Sequence, residues 1–109
     1  MKILTLFLSS LLVAAVAAPQ GYVPNAGFVP DARTAIGVAE AVLKPVYGEE
    51  KVVSEKPFRA HLEKDIWTVS GTLHCKDQDG NPTVQCHGGV ATVEISKTDG
   101  RILSMTHGK

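Results

Sequence analysis

The chain has 109 residues, enough for one domain with a modest core. Eleven Lys/Arg balance eleven Asp/Glu. The two signs are interspersed, so no basic patch marks the chain as a binder of nucleic acid or of an anionic membrane surface.

The N-terminus reads as an export signal. Lys2 supplies a short positive region, ILTLFLSSLLVAAVAA is an apolar run too short for a membrane span, and Ala15-Val16-Ala17 fits the small-x-small rule for signal peptidase. Residues 1–17 are therefore expected to be a signal peptide, cleaved before Ala18, leaving no stable membrane anchor. No cysteine stands at the cleavage site, which disfavours a lipoprotein. Residues 18–30, APQGYVPNAGFVP, lack a period and are read as a flexible leader, with Tyr22, Phe28 and Val29 available to lie on the domain.

The domain is expected over residues 31–109. Asp31 has the chemistry of a helix N-cap, and Ala32, Ala35, Ile36, Ala39, Val42, Leu43, Val46 and Tyr47 recur at helical spacing up to Gly48. Pro45 removes a donor and predicts a kink in the last turn. EEKVVSEK, residues 49–56, reads as a charged connector with a short strand. Then PFRAHLEKDIWTVSGTLHC alternates: Phe58, Ala60 and Leu62 face one way, and beyond a tight Lys64-Asp65 turn Trp67, Val69, Gly71, Leu73 and Cys75 continue that face. The turn sets Leu62 opposite Trp67 and Ala60 opposite Val69.

Residues 88–109 read as a second hairpin closed by Thr98-Asp99-Gly100. With Lys97 facing Arg101, the register pairs Ile95 with Leu103, Val93 with Met105 and Ala91 with His107, and on the other face Glu94 with Ser104 and Thr92 with Thr106. Four strands in a meander with one apolar face, preceded by one amphipathic helix, predict a two-layer α+β fold with the helix packed on a four-stranded antiparallel sheet.

Cys75 and Cys86 flank the loop between the second and third strands, and in an exported chain they are read as a disulfide, whose loop closure contributes about 2–3 kcal/mol. A regular ladder through that pair sets Val69 opposite Thr92, apolar against polar, so one extra residue is needed and a β-bulge is expected at Gly88-Gly89. A zinc site from His74, Cys75, Cys86 and His87 lacks the usual ligand spacing, and Asp77, Asp79 and Asn81 lack the distal glutamate of a calcium loop. No metal and no cofactor are expected. No nucleophile motif or supported carboxylate pair occurs either, so catalytic residues are not assigned. His107 falls on the apolar side of the register and is expected to be partly buried with a backbone partner. The threonine-rich polar face is the candidate surface for a protein partner: Arg59, His61, Thr68, Ser70, Thr72, Thr92 and Glu94, with His74, Asp77 and Asp79 in the adjoining loop.

PDARTAIGVAEAVLKPVYG, KPFRAHLEKDIWTVSGTL and GGVATVEISKTDGRILSMTHGK, in this order and spacing, resemble the NTF2-fold immunity proteins of bacterial polymorphic toxin systems over most of residues 30–109. The resemblance implies an NTF2-like, cystatin-like domain that is no enzyme and that binds and neutralises a cognate toxin. With the signal peptide, that toxin would act in the periplasm. The chain departs from the pattern in its longer cysteine-bearing loop and in offering one helix where a full NTF2 cone has several. A PepSY-like periplasmic domain, implying a protease inhibitor or envelope-binding role, resembles the helix, alternating strands and K-x-D-G-x-I-L hairpin as well.

Overall fold

The computed structural model describes residues 21–84, 86 and 88–109. The stretch read as a signal peptide lies outside them, as does His87. Helix α1 spans Ala32–Tyr47. Asp31 caps it, accepting hydrogen bonds from the Thr34 N–H at 2.8 Å and the Thr34 hydroxyl at 2.7 Å. The helix runs through Pro45 and closes where the Gly48 N–H donates to the Lys44 carbonyl. Ala35, Ala39 and Leu43, each four residues apart, form its buried line. Ala32 and Val46, expected on that line, sit near the helix ends and are exposed.

The expected connector with a strand is instead a second helix, α2, over Glu49–Ser54. The Val52 N–H donates to the Gly48 carbonyl, and Glu49 and Glu50 lie in the first turn, where acidic side chains suit the helix dipole. Val52 is buried and Val53 exposed.

Strands β1 (Arg59–Glu63), β2 (Ile66–Ser70), β3 (Ala91–Ser96) and β4 (Ile102–His107) form one antiparallel meander in the order β1-β2-β3-β4. Lys64 and Asp65 both take positive φ, the two-residue turn that matches strand twist, and Leu62 pairs with Trp67 and Ala60 with Val69 as the alternation predicts. Between β3 and β4 the pairs Ala91–His107, Thr92–Thr106, Val93–Met105 and Glu94–Ser104 agree with the sequence reading. The last pair does not. Ile95 faces Ile102, and the ladder shifts between Glu94 and Ile95. The loop is one residue longer than expected: Ser96, not Lys97, bonds with Arg101. Leu103 is the residue left over, and it is 38 % exposed while Ile102 packs on the core.

Val69 does pair with Val93, the one-residue correction the cysteine spacing demands. It does not come from a bulge in a continuous ladder. Strand β2 stops at Ser70, short of Cys75, and residues 88–90 are not strand. The glycine pair has a different use: a Cβ on Gly89 would stand 2.0 Å from the carbonyl carbon of Gly108, so only glycine lets the two backbones pass there.

Helix α1 packs across β1, β2 and β3, and the space between the layers is filled by Ala35, Leu43, Val52, Phe58, Trp67, Val69, Val93 and Ile95. The end of the leader closes the layer's edge. Phe28 and Val29 donate backbone hydrogen bonds to Thr98 and Lys97, Val29 is buried, and its carbonyl accepts from the Trp67 indole at 2.8 Å.

The Asp31 carboxyl is held below its ordinary range, chiefly by the Thr34 N–H and then by the Thr34 hydroxyl. A carboxylate with a depressed folded-state pKa stabilises fully above its unfolded value, and the contribution is lost as pH falls through the folded value. Asp31→Asn keeps an acceptor but does not titrate, so it should flatten part of the acid-side loss of stability. Thermal melts of both proteins from neutral to strongly acid pH measure this, and an unchanged acid limb would count against the cap.

Candidate functional site

Two polar groupings stand out, one inside the layers and one outside. The inner one is built on Glu55, which follows α2 and is 5 % exposed. Its Oε1 accepts from the Ala91 N–H at 2.6 Å and its Oε2 lies 3.2 Å from His107 Nε2. The other His107 nitrogen, Nδ1, lies 2.7 Å from the Gly108 carbonyl, and the ring is tilted against Tyr47 with centroids 5.3 Å apart. Burial of an unpaired carboxylate costs several kcal/mol, so these partners are what make the position tolerable. Gly71 belongs to the same arrangement, since a Cβ there would come within 2.8 Å of the Glu55 Cβ.

His107 was legible as an inward-facing polar residue, with the expected backbone partner. Glu55 was not, because it closes a charged run and its partners lie 36 and 52 residues away. The available signal was His107 itself, which on an apolar face calls for an acceptor.

The outer grouping contains most of the surface read from the sequence. On the sheet face away from α1, the ladder lines up Arg59, Ser70, Thr92 and Thr106 as one row and His61, Thr68, Glu94 and Ser104 as the next. The Ser70 and Thr92 hydroxyls are 3.1 Å apart. Beside them lies a shallow depression of about 220 Å³ lined by Glu63, Lys64, Ile66, Thr68 and Glu94. The Ser70 and Thr92 hydroxyls satisfy one another, which lowers the cost of covering that pair.

Three other candidates are committed elsewhere. The Thr72 hydroxyl donates to the Pro57 carbonyl at 2.6 Å, and His74 Nε2 meets the Lys56 carbonyl. Asp77 organises its own loop, accepting from the Asp79 and Asn81 N–H groups at 2.9 Å each. Asp79 is exposed in that loop. Cys75 and Cys86 are joined as a disulfide, which removes both thiolates from any metal site. Among the described residues no helix is long and apolar enough to cross a membrane.

The model of the NTF2 fold immunity protein family matches residues 34–109. A protein of Escherichia coli (strain K12), uncharacterized protein YhhH, is 39 % identical over 75 residues, covering 69 % of this chain and 53 % of the relative. The chain thus spans about half the length of that curated relative. No solved structure matches the chain.

If Glu55 is the tie described, Glu55→Ala should destabilise by about 1–3 kcal/mol, because the Ala91 N–H is left buried without an acceptor. Glu55→Gln, which can still accept from that N–H, should cost less. Urea unfolding of both variants tests the order, and equal losses would contradict the backbone bond's role.

Proposed function

The chain belongs to the NTF2 fold immunity protein family, and on that premise we propose that it binds and neutralises a cognate protein toxin by covering it, with no chemistry of its own. The family match over residues 34–109 carries this reading. A protein that neutralises its partner by covering it needs affinity and surface fit in place of a catalytic constellation. The inner Glu55–His107 pair serves the fold in this account, since its carboxylate is spent on Ala91 and His107.

The partner surface is the outer sheet face: Arg59, His61, Thr68, Ser70, Thr92 and Glu94, extended by Thr72 and by His74, Asp77 and Asp79 of the disulfide loop. A rigid sheet presents these side chains at fixed spacing, which limits the entropy lost on binding. Within that surface Thr72 and His74 are anchored on the Pro57 and Lys56 carbonyls and Asp77 shapes the loop, while Asp79 stands exposed beside them. The chain is exported by the signal peptide at residues 1–17 and acts in the periplasm. The Cys75–Cys86 disulfide supports this, because such bonds persist in oxidising compartments. The toxin accordingly acts there too.

Co-expression with a toxin encoded beside it, directed to the periplasm, should rescue growth. The double variant Thr68→Arg/Glu94→Lys should fold with an unchanged melting temperature yet protect poorly, by a loss of at least about tenfold in affinity. Absence of binding by the well-folded wild-type protein would sink the immunity reading. Full protection by the double variant would move the interface off this face.

A further inference from the structure

The sheet has two edges, β1 and β4. Strand β1 is exposed at every position except Ala60, which is half-buried. Its two-residue turn closes on Glu63 and Ile66, so Arg59, His61 and Glu63 direct their backbone groups at β2. The N–H and C=O groups of Ala60 and Leu62 therefore point outward, and among the described residues no hydrogen bond from outside the sheet reaches them.

Such an edge is a template for another strand unless its side chains repel one. Here they do the opposite. Arg59 and Glu63 lie symmetrically about His61 on the outer face, both exposed, and neither has an ion-pair partner among the described residues. We infer that β1 pairs antiparallel with β1 of a second copy of the chain, about a two-fold axis through His61.

In that register Ala60 stands opposite Leu62 of the second copy and Leu62 opposite its Ala60, and these are the residues with free backbone groups. Both bonded pairs of the ladder close. Arg59 meets Glu63 of the second copy, and Glu63 its Arg59, in the non-hydrogen-bonded positions where opposed side chains come closest. On the inner face Leu62, 39 % exposed in the single chain, gains an apolar neighbour. His61 meets its own copy on the solvent side. A slip of one residue would set inner side chains against outer ones. A slip of two toward the N-terminus would set Arg59 against His61 and Glu63 against Pro57, and both Arg59–Glu63 matches would be lost. The β4 edge, Ile102–His107, has no acidic residue and offers no such match. The pairing gives one eight-stranded sheet whose outer faces are continuous, and it does not depend on the proposed function.

The test is sedimentation equilibrium of the exported, disulfide-bonded protein from micromolar to submillimolar concentration. The wild type should show a reversible monomer–dimer equilibrium. Arg59→Glu and Glu63→Arg, each of which sets like charges opposite one another twice, should each weaken dimerisation at least about tenfold. The double variant Arg59→Glu/Glu63→Arg, which swaps the pair, should restore it. Both substituted positions lie on the exposed face, and unchanged melting temperatures of all three variants confirm that folding is intact. A wild type that stays monomeric overturns the inference, as do single reversals without effect or a double variant that is not rescued.

Discussion

The carboxylate of Glu55 is the constraint around which the rest of the structure is arranged. It sits where α2 ends, at the start of β3 and at the end of β4, and it holds all three through the Ala91 N–H and the His107 ring. A buried carboxylate is tolerated only when donors meet it, and the surroundings supply them. Gly71 leaves it room, and the Glu55 carbonyl accepts the Thr72 N–H at 2.7 Å to hold the chain beyond β2. Helix α2 is thus more than a connector. It delivers one acidic side chain to the place where the sheet would otherwise open.

The opposite end is closed by different means. Backbone bonds join Phe28 and Val29 to the β3–β4 loop, the Trp67 indole holds the Val29 carbonyl, and the Lys97 ammonium reaches the Ala26 carbonyl. The Lys97 N–H also donates to the Asp65 carbonyl, tying this loop to the β1–β2 turn. Between these two clasps α1 covers the inner face, and the hydrophobic contribution of the core comes from burying large residues such as Leu43, Trp67 and Ile95. Both clasps act from the helical side. The outer face takes no part in holding the layers together, so its side chains are free to serve recognition.

How far this was legible in the sequence depended on the range of the interactions. The β1–β2 register followed from alternation and a two-residue turn, both local, and the outer rows Arg59–Ser70–Thr92 and His61–Thr68–Glu94 followed with it. The β3–β4 register was right from Ala91 to Glu94 but failed at Ile95, where a four-residue loop and a ladder shift put Ile102 inside and Leu103 out. Alternation alone cannot distinguish these, since both residues are apolar. Helix α2 was missed because six residues with adjacent valines carry no usable period. Glu55 and the close passage of Gly89 over Gly108 were hidden because each depends on a partner distant in sequence. In the candidate site, face membership was readable, but the prior commitments of Thr72, His74 and Asp77 were not.

The central claim is a division of labour, with the inner face holding the fold and the outer sheet face proposed to bind the toxin. Amide NMR shift mapping of the labelled protein with its cognate toxin tests it most directly. The account predicts perturbations concentrated at Thr68, Ser70, Thr92 and Glu94 and in the disulfide loop, with α1 little changed. Shifts concentrated along α1 and at Phe28–Val29, with the outer rows silent, would contradict it.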